Sequence, residues 1–273
     1  MFIHLTTHST YSFQESLLSP AELVQAAYEQ NMPALGLTDH FMLTGTVEFV
    51  RACKEAGIQP ILGAEIDLEH GRLALYAQSV EGWANLCRLV SALALREDPH
   101  APCSTDFLEP FSKDLIALRV PQSEETAFQL KQIFNDRLYL ALQDPAAGLP
   151  TANLGRRLGI PVVVTQPVYC LDPQQTNLLR TLSSIRTNTP ISHLPEEKTT
   201  NRNVHFASEG EMLARFSGFR AGLEKTLEIA ERCQFDLPLD KPNMPKVDIP
   251  EGMVPTQVLR EKAEAGACSG KAT

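Results

Sequence analysis

Short apolar runs alternate with helical segments over the first two thirds of the chain. The runs are almost continuously apolar, which is typical of strands in a parallel sheet that is covered on both faces. The predicted strands are Phe2–Thr7, Ala34–Thr38, Pro60–Leu68, Arg72–Ala77, Leu115–Val120, Leu138–Gln143 and Pro161–Thr165. Because helices separate most of these strands, the pattern predicts β-α-β crossovers and an α/β fold.

Hydroxyl-bearing residues mark where the intervening helices begin. Ser19 is followed by proline at the first helical position and by glutamate three residues on, which is the signature of a capping box. Thr44, Ser79 and Ser123 precede further helical patterns, and Gly57 ends the first of these. The sequence therefore predicts a helix after most of the strands.

Seven predicted strands, with one hairpin between Leu68 and Arg72, favour a barrel that resembles a TIM barrel. An open doubly wound sheet is the alternative, although no glycine-rich dinucleotide or P-loop motif follows any strand. After about residue 186 the pattern changes. We therefore predict a barrel over residues 1–186, a loop and helical extension over 187–236, and a proline-rich connector with a last amphipathic segment over 237–273.

Composition narrows the functional classes. The net charge is −9 and the 24 basic residues form no stripe, so we do not expect strong DNA binding by this chain alone. No apolar run reaches the roughly 18 residues that a membrane span needs. The six cysteines are scattered without a C-x-x-C pair, which favours reduced thiols and a cytoplasmic location.

Polar side chains follow or lie within three predicted strands. His8 follows the first strand and precedes Glu15, the pair Asp39-His40 ends the second, and Glu65 lies in the third. Because the carboxyl ends of barrel strands form one rim, we expect these side chains to converge. Histidine and carboxylate together suit zinc, manganese or iron, and such ions can activate water against a phosphate ester. As an alternative, Asp39 only caps the next turn.

The runs FIHLTTHSTYS, PALGLTDH, GIQPILGAEI and VVVTQPVYCLDPQQ resemble a PHP (polymerase and histidinol phosphatase) domain. They are most similar to the form found at the N-terminus of bacterial DNA polymerase III alpha subunits. Residues 223–233 and the following leucine-proline connector resemble the helical segment that joins this domain to the polymerase core. The resemblance extends to about Gly266 and implies a distorted seven-stranded (β/α) barrel with a C-terminal helical extension, whose active members bind up to three metal ions.

Carried over by position, the resemblance implies four metal ligands and several losses. The residues at ligand positions are His8, Glu15, His40 and Glu65, with Asp39 adjacent. The first histidine of the H-x-H signature of the family falls on Thr6, and its late Asp-x-His pair falls on Pro167 and Tyr169. A further histidine falls at about Pro145. The implied cofactor is therefore at most one weakly bound divalent metal, namely zinc, manganese or iron, and no residue is assigned as catalytic.

Two functional hypotheses follow from the resemblance. In the first, the chain is a structural or partner-docking PHP domain of a DNA polymerase III alpha-like protein in DNA replication, with no polymerase palm of its own. Its implied partners are the remainder of the polymerase alpha chain and a proofreading exonuclease subunit. In the alternative, it is a free-standing metal-dependent phosphoesterase or 3′-5′ exonuclease. The first hypothesis leads us to expect a truncated gene, a split subunit or an isolated domain.

Overall fold

The computed structural model describes residues 1–69, 71–99, 101–194, 203–239, 249 and 252–268. The chain divides into two compact units, Met1–Leu237 and Pro238–Thr273. The described part of the second unit contains one helix, α9 (Pro255–Cys268). Most of the predicted connector, from 240 to 248, lies outside the described residues.

Six strands form one curled sheet in sequence order. The strands are β1 (Ala34–Leu37), β2 (Gln59–Leu68), β3 (Gly71–Ala77), β4 (Leu115–Arg119), β5 (Leu138–Leu142) and β6 (Val162–Val164). Neighbouring strands are parallel except that β3 runs antiparallel to both β2 and β4. The predicted hairpin between Leu68 and Arg72 is confirmed, and its turn uses Gly71 with a positive φ of 101°.

The structure shows six strands in its described residues, where the sequence predicts seven. The missing strand is Phe2–Thr7, which is extended and makes isolated backbone hydrogen bonds to two neighbours. On one side, the Gly36 amide donates to the His4 carbonyl over 2.9 Å and the Thr38 amide donates to the Thr7 carbonyl over 2.8 Å. On the other side, the His8 amide donates to the Val168 carbonyl over 3.0 Å. These bonds are too sparse for a continuous ladder, so the segment does not form a regular strand.

Among the described residues of the first unit, eight α-helices flank the strands. They are α1 (Pro20–Glu29), α2 (Thr46–Ala56), α3 (Val80–Ala94), α4 (Glu124–Phe134), α5 (Gly148–Leu158), α6 (Thr176–Thr187), α7 (Glu209–Arg215) and α8 (Arg220–Arg232). Three predicted starts are confirmed, since Ser19, Ser79 and Ser123 each accept a backbone amide hydrogen bond at the helix N-terminus. Thr44 does not cap α2, whose N-cap is Gly45 without a side-chain hydrogen bond. No helix among the described residues is long and apolar enough to cross a membrane.

The concave face of the sheet is filled by side chains that alternate along the strands. This cluster includes Tyr76 of β3, Tyr139 of β5 and Ile3 of the N-terminal segment, all almost fully buried. Helix α8 covers one end of the cluster, where Gln59 at the start of β2 donates to the Ala230 carbonyl over 2.7 Å. The opposite end, at the carboxyl ends of the parallel strands, is left for polar side chains.

Five of the six cysteines have described side chains, and all five thiols are free. They are Cys53, Cys87, Cys103, Cys170 and Cys233, all buried except the half-buried Cys87. Burial raises the pKa of Cys53 to about 12 and that of Cys233 to about 12. These thiols therefore stay protonated and serve as small apolar side chains.

Candidate metal centre

The structure brings His8 and Glu65 into direct contact. His8 Nε2 lies 3.0 Å from Glu65 Oε2, and both side chains are buried. The chain after β1 continues beside β2, because the Phe41 amide donates to the Glu65 carbonyl over 2.9 Å. This pairing places His40 next to Glu65, on the same end of the sheet as His8.

His40 lies between two carboxylates. His40 Nδ1 is 3.1 Å from Glu15 Oε1, and His40 Nε2 is 3.2 Å from Asp67 Oδ1. Burial alone would lower the pKa of His40, but its close contacts with the Asp67 and Glu15 carboxylates raise it overall. The four residues at the implied ligand positions therefore lie in one group, together with Asp67, which the sequence did not single out.

Asp39 belongs to a different local structure. Its Oδ1 accepts hydrogen bonds from the Ser9 amide over 2.6 Å and from the Ser12 hydroxyl over 2.7 Å. Its Oδ2 accepts from the Ser9 hydroxyl over 2.7 Å. Both oxygens are thus engaged by the loop that leads to Glu15. Asp39 therefore braces the earlier loop at Ser9 and Ser12, whereas the alternative expected it to cap the turn that follows its own strand.

A cation lies at the centre of the group, and it belongs to the chain itself. Arg72, at the start of β3, donates from Nη1 to Glu65 Oε2 over 3.0 Å and from Nη2 to Glu15 Oε1 over 2.8 Å. Its Nε lies 3.5 Å from Asp67 Oδ1. Arg186 of α6 also donates to Glu15 Oε1, over 2.8 Å. The carboxylates are therefore paired with guanidinium groups in the geometry expected of charge-assisted hydrogen bonds.

These contacts hold the group in its charged form. Burial alone would raise the pKa of Glu15, but the hydrogen bond with His40 and the Arg72 guanidinium bring it well below its ordinary value. Burial acts in the same direction on Glu65, whose pKa His8 and Arg72 nevertheless lower to about 2. Both carboxylates are therefore ionised at neutral pH and depend on the arginine for compensation.

The residues that replace the implied ligands line the same cavity. Thr6, Pro167 and Tyr169 border a cavity of about 240 Å³ together with Glu65 and Arg72. The ring of Tyr169 stacks on His8 with centroids 4.2 Å apart, and its phenol oxygen accepts from Arg72 Nη1 over 3.1 Å. Burial, reinforced by Glu65, raises the pKa of the Tyr169 phenol, so that it stays protonated.

The donor atoms present do not fit the metal cluster that the resemblance implies. Glu15 and Glu65 are occupied by Arg72, which places a positive charge where a metal ion would have to enter. Thr6 has a hydroxyl within 3.3 Å of the Tyr76 phenol, and Pro167 has no donor atom in its side chain. Within the described residues, no three histidine, cysteine, aspartate or glutamate side chains are arranged to hold a metal.

Sequence reasoning missed Arg72, Asp67 and Arg186. A signal for the first two was present, because a two-residue turn after Leu68 pairs Asp67 with Arg72 across the hairpin. An arginine at the start of an otherwise apolar strand is also rarely buried without an ionic partner. Nothing in the local sequence of α6 indicates that Arg186 reaches Glu15, since 171 positions separate them.

Residues 4–130 match the family model of the PHP domain. A strand-rimmed group of histidines and carboxylates on an α/β sheet agrees with this match, and the chain therefore carries a PHP domain.

The chain is moreover homologous to the N-terminal region of bacterial DNA polymerase III alpha subunits. An error-prone DNA polymerase of Symbiobacterium thermophilum is 33% identical over 305 residues, which cover 97% of this chain and 28% of the relative. A DNA polymerase III subunit alpha of Halalkalibacterium halodurans is 28% identical over 289 residues, which cover 97% of this chain and 26% of the relative. The chain thus spans about a quarter of the length of these relatives.

Among solved structures, the chain is similar to a two-domain protein from Bacteroides vulgatus that contains a predicted PHP-like metal-dependent phosphoesterase. The two are 14% identical, with a TM-score of 0.44 over 62% of this chain and 52% of the other.

Proposed function

We propose that this chain is a non-catalytic PHP module of a DNA polymerase III alpha-like protein in DNA replication. The observation that carries the proposal is the pairing of Arg72 with Glu15 and Glu65. This pairing engages the carboxylates that a metallo-phosphoesterase would use as metal ligands. The homology to polymerases over 97% of the chain supports the assignment to replication. Hydrolysis by metal-bound hydroxide needs a firmly held cation with an open coordination position, and a guanidinium supplies neither.

The metal-ligand roles of His8, Glu15, His40 and Glu65 remain part of the proposal in a weakened form. A zinc, manganese or iron ion at these residues would have to displace the guanidinium of Arg72 from its carboxylates. Such a displacement exchanges one cation for another in a buried site, so any metal binds weakly. The group instead fixes the relative positions of the N-terminal segment, β2, β3 and α6.

The proposed architecture completes the sheet with the N-terminal segment. Residues 2–8 would take the place of a seventh strand without forming a regular ladder, because they make backbone hydrogen bonds both to β1 and to Val168 beyond β6. The proposed domains are the barrel at 1–186, the helical extension at 187–236 and the connector with the start of the polymerase-linking segment at 237–273. Contacts such as that between Ile3 and Thr226 of α8 would let the extension close one end of the barrel.

The proposed partners are polypeptides. They are the remainder of the polymerase alpha chain and a proofreading exonuclease subunit, acting in the cytoplasm. With 33 acidic and 24 basic residues, the chain should be repelled by duplex DNA at long range. Strong DNA binding would therefore need basic surfaces supplied by another part of the polymerase.

Two assays on one preparation test this function. A pull-down with the polymerase remainder and the exonuclease subunit should recover a protein partner, whereas a DNA-shift titration at physiological salt should show weak binding. Hydrolysis of a phosphate ester and of a DNA 3′ end, with millimolar manganese, zinc or iron, should stay at the background rate.

The alternative enzyme gives the opposite outcome. Metal-dependent hydrolysis that disappears in His8→Ala, but not in the exposed control His193→Ala, would establish a phosphoesterase or exonuclease. Tight, salt-sensitive DNA binding without a recovered protein partner would also contradict the proposed module.

A further inference from the structure

We propose that Arg72 has taken over the place and the electrostatic task of the metal, so that the site is a built-in ion-pair centre in which divalent cations bind at most weakly. This inference rests on the proposed function and deepens it, since it names what holds the non-catalytic site together.

The guanidinium of Arg72 contacts several polar side chains of the site. It reaches five side chains from four parts of the chain, all within 3.5 Å: Glu15, His40, Glu65, Asp67 and Tyr169. Glu15, His40 and Glu65 are three of the four implied metal ligands, and Tyr169 stands at a position where the resemblance places a histidine. Arg72 thus contacts most of the donor set that a metal ion would have to collect.

The negative charges of the two buried glutamates are balanced by arginines of the chain itself. Glu15 and Glu65 have side chains that are 7% and 9% exposed, and two carboxylates buried this deeply repel each other unless a cation separates them. Arg72 supplies one positive charge between them, and Arg186 supplies another at Glu15. The compensation that a divalent ion would give therefore comes from two residues of the chain.

Contacts with other residues hold Arg72 in place. The hairpin register places it opposite Asp67, and its own carbonyl accepts a hydrogen bond from Arg119 Nη1 over 2.8 Å. Tyr169 both stacks on His8 and accepts from Arg72, so a residue at a lost ligand position now supports the arginine. A flexible surface arginine would lack these restraints, whereas this one lies in a built site.

The test compares metal binding by the full chain and by Arg72→Ala. The purified wild-type protein should contain metal far below one equivalent by elemental analysis, and neither EDTA nor added zinc or manganese should shift its thermal unfolding. Arg72→Ala should unfold at a lower temperature, and added zinc or manganese should recover part of the loss. Its affinity for these metals should exceed that of the wild type about tenfold or more, because a competing buried charge has been removed.

The matched control is Arg232→Ala. Arg232 also pairs with a carboxylate, Asp136, over 3.2 Å, but it is the last residue of α8 and lies away from the ligand positions. It should lose stability without gaining a response to metal. If Arg72→Ala does not fold by itself, refolding with millimolar zinc or manganese replaces the titration, and recovery of folded protein is the expected result.

Three results would overturn the inference. One is a stoichiometric, EDTA-resistant metal in the wild-type protein. Another is an Arg72→Ala protein whose metal affinity equals that of the wild type, and the third is an unfolded variant that no metal rescues. These outcomes are separate from failure of the proposed function, which is decided by hydrolysis and partner capture in the wild-type chain.

Discussion

Gly36→Ala is the substitution that best tests how the N-terminal segment is held against the sheet. Gly36 lies in β1, and a Cβ added there would stand 2.0 Å from the carbonyl oxygen of Leu5. That oxygen is part of the backbone and cannot rotate away as a side chain could. The segment from Ile3 to His8 would therefore have to move off β1.

The cost follows from the contacts that such a movement breaks. Three of the hydrogen bonds that join the segment to this part of the chain are Gly36 N to His4 O, Thr38 N to Thr7 O, and Thr7 Oγ1 to Gly36 O. At about 1 kcal/mol each they contribute about 3 kcal/mol. Overpacking that is only partly relieved adds about 1–3 kcal/mol. We expect a loss of about 4–6 kcal/mol, a large part of the roughly 5–15 kcal/mol that stabilises a typical domain.

The measurement is denaturant unfolding combined with amide hydrogen exchange. Gly36→Ala should lower the free energy of unfolding by the stated amount, and it should speed exchange at residues 3–9 beyond the global effect. Gly210→Ala in α7 is the control, because the nearest atom to its added Cβ is Ser208 Oγ at 3.9 Å. A glycine-to-alanine change in an unhindered helix is expected to stabilise by about 0.5–1 kcal/mol. If Gly36→Ala unfolded within about 0.5 kcal/mol of the wild type, the reasoning about this contact would be refuted.

Two further predictions concern other parts of the site region. Burial, partly offset by a hydrogen bond to a backbone carbonyl, lowers the pKa of His4 to about 4. Because the unfolded chain then binds a proton more readily, stability is lost as pH falls from about 6.5 to 4, by about 3 kcal/mol in total. His4→Gln should remove this part of the pH dependence, and unfolding curves for both proteins between pH 7 and 4 check it; equal slopes would show that His4 does not contribute. The triple variant Thr6→His, Pro167→Asp, Tyr169→His should gain little zinc or manganese affinity by calorimetry while Arg72 is present, and measurably more when Arg72→Ala is added. An equal gain in both backgrounds would mean that the arginine does not compete.

Local rules were enough to predict the elements. The capping serine Ser19 begins α1 with both bonds of the capping box, and Gly57 ends α2 in the left-handed conformation with φ 70°. Both effects depend on residues within one turn, so a single sequence contains all the information they need. The order of strands and helices, and hence the α/β class, follows from these signals.

The seventh strand shows where local rules stop. Phe2–Thr7 has the composition of a buried strand, and Ile3 and Leu5 are indeed almost fully buried. Whether such a segment forms a ladder depends on the spacing of its two neighbours, which the local pattern does not contain. Here its backbone makes hydrogen bonds alternately to β1 and to the residues after β6. The segment is therefore buried like a strand but forms no regular ladder.

The location of the site could be predicted from the sequence, but the pairing of its carboxylates with an arginine could not. The rule that strand ends share a rim correctly gathers His8, His40 and Glu65. Only residue types that bind metals were considered at this rim. A cation such as Arg72, at the start of the neighbouring strand, was therefore overlooked. The competing principle is that buried carboxylates are compensated by whatever positive charge can reach them.

The changes at the ligand positions form a coupled set. Tyr169 stands where the family has a histidine, yet its phenol accepts from Arg72 and its ring stacks on His8. Replacing it alone by histidine would remove an acceptor from the guanidinium while leaving that charge between Glu15 and Glu65. Restoring one ligand at a time should therefore destabilise the fold before it attracts a metal, because residues in one network are not additive. Under the proposed function, the residues at the implied ligand positions and the internal cation stabilise each other, and tight metal binding would require several simultaneous changes.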